Sequence, residues 1–249
     1  MLLAVDVGNT NISCGIFKGI NLVKQFDIPT KGCFKAILPK KFKNISKISA
    51  SIICSVVPKQ TKAIYRNLRS LTKTNPYIIG KNLIVPIKNL YHNPGQLGQD
   101  RLVNAYAASL LYPAPLIVID SGTAITFDVI SKKKEYLGGL IVPGMEISLA
   151  TLNEKTALLP LVKLAKPKMT IGCNTKNGIL SGVVLGTADL CSGLAKRISQ
   201  ELGKNTQIVG TGGNISLIKK YMRVKIIVDR NLTLKGLNFI FRHEIKQNN

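Results

Sequence analysis

Four carboxylates, Asp6, Asp100, Asp120 and Asp128, stand at the ends of apolar segments within or beside glycine-rich turns. The chain carries only 12 acidic residues against 35 Lys and Arg, so acids placed in this way point to chemistry rather than to solvation. Asp6 ends the apolar run Leu2-Leu3-Ala4-Val5. After it come Gly8, which tolerates backbone angles closed to other residues, and the short polar residues Asn9-Thr10-Asn11, a combination suited to a nest of backbone N–H groups for phosphate oxygens. The same order returns at Ile117-Val118-Ile119-Asp120-Ser121-Gly122-Thr123-Ala124, with the two Asp 114 positions apart. A third glycine-rich turn, Thr211-Gly212-Gly213-Asn214, follows another apolar run. Three such turns suit a nucleoside triphosphate whose phosphates meet backbone N–H groups, with Asp6 or Asp120 near a bound cation. Asp100 is placed to take a proton from an acceptor hydroxyl, and Arg101 beside it to hold an acceptor carboxylate.

Other chemistries have little to stand on. Neither G-x-x-x-x-G-K-[ST] nor G-x-G-x-x-G occurs, and His92 and His243 are the only histidines. Cys14, Cys33, Cys54, Cys173 and Cys191 are odd in number and form no C-x-x-C pair, which reads as free thiols in a reducing compartment. Asp6 interrupts the N-terminal apolar run early, so neither a signal peptide nor a membrane span is expected and the protein is read as cytoplasmic. The net charge of +23 raises the question of nucleic acid, but Lys40-Lys41, Lys132-Lys133-Lys134 and Lys219-Lys220 are short, scattered runs with no nucleic-acid motif. The lysines are therefore read as a solvated face that draws in anionic substrates, and nucleic acid is not expected as a partner.

The duplicated motif implies internal duplication, with residues 1–115 as one lobe and 116–249 as the other. Each opens with a hairpin: Leu2 to Phe17 in the first, the run from Leu116 through Phe127 in the second. In the first lobe a third strand is expected over Leu22–Pro29, a short helix within 31–43, a buried strand over Ile48–Val57, a helix from Pro58 to about Lys73, and a strand at Tyr77–Ile79. A turn-rich loop over 86–99 then delivers Asp100-Arg101 to a helix over 102–111, Asp100 being placed as its N-cap. In the second lobe a turn at 132–135, a strand over Leu137–Gly144, a helix from Met145 and a loop over 156–170 precede a long helix capped by Asn174-Thr175 and ending near Leu202. Strands at Gln207–Gly210 and Val224–Val228 and a helix from about Leu234 close the chain. The fold class is α/β, with two related lobes of mixed sheet flanked by helices and a nucleotide cleft between them.

Taken together, Asp6-Val7-Gly8-Asn9-Thr10, Asn93-Pro94, Gly98-Gln99-Asp100-Arg101 with Asn104, Asp120-Ser121-Gly122-Thr123-Ala124 with Thr126-Phe127-Asp128, Gly138-Gly139, Pro143-Gly144, Asn174-Thr175 with Gly182, and Thr211-Gly212-Gly213 run through nearly the whole chain. In this order they resemble the type III pantothenate kinases, of the actin-like ATPase (ribonuclease H-like) superfamily that includes sugar kinases and heat-shock chaperones. The resemblance implies ATP-dependent phosphorylation of pantothenate, the first step of coenzyme A biosynthesis. It implies ATP binding by Asp6, Val7, Gly8, Asn9, Thr10, Asn11, Ile12, Ser13 and Thr123, and proton acceptance by Asp100. Tyr91, Gly98, Gln99, Asp100, Arg101 and Thr175 would bind pantothenate, and Asp120 a monovalent cation, K+ or NH4+. It further implies Mg2+ with ATP and a homodimer whose active site is completed at the interface. The alternatives are a kinase-fold regulator that binds nucleic acid and a kinase of another small hydroxy acid.

Overall fold

The computed structural model describes residues 1–203 and 205–247. Contacts divide the chain into two units, the first formed by residues 1–88, 92–110 and 231 onward, the second by 89–91 and 111–230. This division differs from the expected one at 115/116 because the last helix, α7 (Leu232–Gln247), packs on β1, β2 and β4 of the first unit. Small residues make that approach possible. A Cβ on Gly15 would lie 3.2 Å from Leu234, and one on Gly236 would lie 2.7 Å from the Val103 carbonyl oxygen.

The first unit is built on strands β1 (Leu2–Val7), β2 (Asn11–Lys18), β3 (Asn21–Pro29), β4 (Ala50–Ser55) and β5 (Tyr77–Ile78), in the order β3-β2-β1-β4-β5. β1, β2 and β3 pair antiparallel, whereas β4 joins β1, and β5 joins β4, in parallel. Strand alternation sends Leu3, Val5 and Val7 into a core with Ile12, Cys14, Ile16 and helices α1 (Phe34–Lys41) and α2 (Pro58–Thr72). Asp6 has the opposite parity. α2 follows directly from sequence: Pro58 sits in its first turn, Thr61, Ile64, Leu68 and Thr72 are buried along one face, and Lys73 ends it in a left-handed conformation. α3 (Gln99–Leu111) is buried over residues 101–109.

The second unit repeats this plan. Its strands β6 (Leu116–Ser121), β7 (Ala124–Ile130), β8 (Tyr136–Pro143), β9 (Gln207–Thr211) and β10 (Ile227–Val228) stand in the order β8-β7-β6-β9-β10 with the same senses. Ile117 and Ile119 face a core closed by α4 (Met145–Glu154), α5 (Thr175–Leu202) and α6 (Ile215–Ile218). By length and composition alone α5 could cross a membrane, but Val184, Ala188, Cys191 and Ala195 are buried in this core. Asn174 caps α5, its side chain accepting the Asn177 N–H at 2.9 Å. β10 is shorter than expected because the Arg223 amide donates to the Ser192 hydroxyl of α5 at 2.9 Å, which holds the approach to the strand on the helix instead of on β9.

Candidate active site

In the first unit, β1 delivers Asp6 between Ser13 of β2 and Cys54 of β4, its two register partners. The turn that follows is closed by the Gly8 N–H donating to the Asn11 carbonyl at 3.0 Å, with Asn9, Thr10 and Asn11 exposed. A second clasp comes from Thr30 at the end of β3. Its hydroxyl donates to the Gly8 carbonyl at 2.8 Å and its N–H to the Thr10 carbonyl at 2.9 Å. Nothing local to the motif announced Thr30, which lies 22 residues from Gly8. Ser13 donates its hydroxyl to Asp27 at 2.7 Å.

Asp100 is the second residue of α3 rather than the residue before it, and its Oδ1 accepts the Arg101 N–H at 2.9 Å. Burial raises its carboxyl above the ordinary 3.8, opposed by the Arg101 N–H and guanidinium. A carboxylate lifted toward neutrality is a better proton acceptor than an exposed one. A Cβ on Gly98 would lie 2.5 Å from Asp100 Oδ1, so the glycine is what lets the chain pass the carboxylate. Gln99 lies over Gly80, which has φ +78°. Arg101 is buried, and one turn on, Asn104 accepts the Thr233 hydroxyl of α7 at 2.7 Å. The buried Cys54 thiol feels both carboxylates of this unit. Its pKa is pushed well up, first by burial and then by the charges of Asp6 and Asp100.

In the second unit three glycine turns converge on the end of β6. The Gly122 N–H donates to the Ala124 carbonyl at 3.1 Å, closing the hairpin. The Gly144 N–H, opening α4, donates to the Thr123 carbonyl at 3.1 Å, and the Asn214 N–H donates to the Ser121 carbonyl at 3.0 Å. Gly144 and Gly212 are required by this convergence. A Cβ on Gly144 would collide with the Thr123 carbonyl; one on Gly212, which has φ +89°, would collide with Asp120 Oδ1 and lie 2.6 Å from the Ser121 carbonyl oxygen. The space beside Asp120 is thus bounded by a carboxylate and a carbonyl oxygen with no side chain from Gly212. Hard oxygen donors of this kind suit an alkali or ammonium cation. Among the described residues no three His, Cys, Asp or Glu form a metal cluster, so magnesium would depend on the phosphates it accompanies. Gly144 and Gly212 belong with these turns, and the Pro143-Gly144 and Gly212-Gly213 pairs are the signal the sequence offers for them.

Asp128 is different from the other three carboxylates. Fully buried, it accepts the Tyr136 hydroxyl at 2.9 Å and the Thr126 hydroxyl at 3.3 Å, which makes it a structural bond between β7 and β8. Tyr91 packs at 6.3 Å against the Tyr136 ring, beside Gly138, and Leu90 donates its N–H to the Tyr136 carbonyl at 2.9 Å. Thr175 is the exposed first residue of α5, its hydroxyl not needed for capping because Asn174 does that. Among the expected site residues, the Asp6–Ser13 segment and Gly98–Arg101 therefore belong to the first unit, and Tyr91, Asp120, Thr123 and Thr175 to the second.

A family model described as type III pantothenate kinase matches residues 2–197. Proteins named type III pantothenate kinase are similar over almost the whole chain. That of Dehalococcoides mccartyi (strain BAV1) is 37% identical, covering 97% of this chain and 95% of its own length. That of Desulforapulum autotrophicum is 39% identical, covering 96% of both. Among solved structures, one described as a conserved Baf family transcriptional activator from Campylobacter jejuni aligns at TM-score 0.61 and 20% identity over 98% of this chain and 99% of its own. The activator of 2-hydroxyisocaproyl-CoA dehydratase from Clostridium difficile, with bound ADPNP, aligns at TM-score 0.57 and 11% identity over 99% and 96%. At these identities the two structures bear on the fold alone, an α/β fold of two mixed sheets flanked by helices.

Proposed function

From the premise that the chain belongs to the type III pantothenate kinase family, and so catalyses ATP-dependent phosphorylation of pantothenate toward coenzyme A, we propose that Asp100 is its proton acceptor. The observation that carries this role is the start of α3, where burial raises the carboxyl and Gly98 makes room for it. The pantothenate hydroxyl attacks the γ-phosphorus of ATP, the bond to the bridging oxygen breaks, and Asp100 takes the hydroxyl proton as ADP leaves. Arg101, whose guanidinium also steadies the Asp100 charge, would hold the pantothenate carboxylate, with Tyr91 and Thr175 as further contacts.

The Asp6–Ser13 turn and Thr123 would bind the ATP phosphates. Magnesium bound with ATP supplies neutralisation of phosphate charge, and Asp6 is the carboxylate of the first turn best placed by its strand to face it. K+ or NH4+ would sit at Asp120, where Gly212 brings no side chain beside the Asp120 carboxylate and the Ser121 carbonyl. A homodimer is supported by apolar side chains on the second unit, among them Leu158 at 91% and Ile171 at 82% exposure, and by Gly182 and Gly186 on α5, beside which there is open space. All five cysteines are free, which fits a cytoplasmic enzyme.

ADP release with ATP and magnesium, with and without pantothenate, in potassium, ammonium and sodium buffers, tests this. Pantothenate-dependent release that needs potassium or ammonium is expected. Release that ignores pantothenate, or its absence in every salt, would overturn the assignment of acceptor.

A further inference from the structure

The positive charge is not spread evenly. Between Ile28 and Gln99 lie thirteen of the 35 Lys and Arg and none of the 12 Asp and Glu. The fold gathers much of this charge on helices. Lys59, Lys62, Arg66, Arg69 and Lys73 recur at spacings of three and four along α2 and its C-cap, and all five are exposed. Such spacing places them in one stripe about 21 Å long at 1.5 Å per residue. The opposite face of α2, with Ile64 and Leu68, is buried in the core of the first unit. α1 packs against α2 and adds exposed Lys35, Lys40 and Lys41, followed by Lys43 and Lys47.

Among the described residues no ion pair is found along this stripe, and no large apolar side chain of α1 or α2 is exposed. The second fact decides between two kinds of polyanion. A membrane-surface helix inserts an apolar face beside its cationic one, and here the apolar face is already committed to the core. A row of cations with nothing apolar beside it matches a phosphodiester backbone, whose charges repeat along its length and which binds by counterion release. We propose that the α1–α2 face of the first unit binds nucleic acid through its backbone, independently of base sequence, as a surface additional to the kinase site. Binding should therefore be steeply dependent on salt and indifferent to sequence.

The test compares two variants of equal net charge. One neutralises the stripe (Lys59→Gln, Lys62→Gln, Arg66→Gln, Arg69→Gln), the other four exposed lysines of the second unit (Lys132→Gln, Lys133→Gln, Lys219→Gln, Lys220→Gln). Gln has nearly the helix propensity of Lys and Arg, so α2 should persist. Binding to a fluorescently labelled mixed-sequence DNA duplex is measured across a salt series with ATP and magnesium present, alongside sedimentation with phosphatidylglycerol vesicles and the kinase assay. The expected result is at least a tenfold loss of duplex affinity in the stripe variant. Its log K against log salt slope should flatten by about 3 to 4, since each phosphate contact contributes about 0.9. The other variant should bind like the wild type, and both should keep kinase activity. Equal losses in the two variants would reduce the effect to net charge and overturn the proposal. So would no duplex binding by the wild type at low salt, or stripe-dependent binding to vesicles alone.

Discussion

The two sheets share one plan and differ in how it ends. Strand order and sense are the same in both, so Asp6 and Asp120 hold equivalent places, with Cys54 and Thr211 as their parallel neighbours. One residue later they diverge. The first sheet runs into Ser55-Val56-Val57-Pro58, where the Ser55 Oγ accepts the Val57 N–H at 3.1 Å and the Thr61 hydroxyl at 2.7 Å, locking the strand to the 15-residue α2. The second runs into Gly212-Gly213-Asn214 and the four-residue α6. A side-chain knot fills one strand end, and the other is stripped to backbone so that space remains beside Asp120. A duplicated scaffold can thus keep its hydrogen-bonded centre and still make two different sites, because strand ends lie outside the ladder that holds the sheet together.

Asp100 breaks the symmetry most. α3 follows β5 as α7 follows β10, yet α7 opens with Leu232-Thr233 and has no carboxylate at that place. Asp100→Asn should lower kcat by roughly 10²- to 10⁴-fold, the usual contribution of a general base, with ATP affinity unchanged. In the wild type, kcat should rise with pH through a value above 3.8, because the carboxyl must ionise to accept a proton and burial resists that. The stability effect has the opposite sign. A raised native pKa contributes stability below the ordinary carboxylate value and loses it as pH rises through the raised one. At neutral pH, Asp100→Asn should therefore be at least as resistant to urea as the wild type. A loss of stability would show that the carboxylate is held by its partners more than it is penalised by burial.

The strand ends themselves give the next two effects. Gly212→Ala should cost about 1–3 kcal/mol in urea denaturation for a non-glycine residue held at φ +89°, and at least a tenfold loss of potassium activation as the Cβ displaces Asp120. Ser55→Ala, one residue past Cys54 in the first sheet, should cost about 1 kcal/mol for its hydrogen bonds and leave the response to potassium intact. Equal salt responses in the two variants would remove the distinction between the strand ends. The smallest effect belongs to Thr30→Ala, which removes the hydroxyl clasp on Gly8. About 1 kcal/mol of stability and a rise of a few-fold in the KM for ATP, with kcat unchanged, are expected from steady-state kinetics.

Much of this is legible in the sequence. Both hairpins, the Pro58 start of α2, the Asn174 cap of α5 and the start of α4 after Gly144 follow from residues adjacent in sequence, where apolar periodicity and turn chemistry act locally. The short α6 has too few residues to show a period. The length of β10 is not legible there, because the hydrogen bond from the Arg223 amide to Ser192 crosses 31 positions. Asp128 shares the apolar and glycine surroundings of the other three acids, and its full burial with the Tyr136 and Thr126 hydroxyls on its carboxylate is what marks it as structural.

The sequence by itself determined the two Asp-Gly hairpins, their repetition, and the Gly98-Gln99-Asp100-Arg101 element, because each hairpin and the element is one unbroken stretch of chain resting on backbone freedom, strand alternation and helix capping, and the repetition is the same short pattern met twice. Only the tertiary structure decided that Thr30 holds the first turn, that Gly212 makes room for Asp120, that α7 packs with the first unit, and that burial raises the Asp100 carboxyl. These depend on which distant segments are brought into contact and on how much water they exclude, quantities that no local pattern of residues contains.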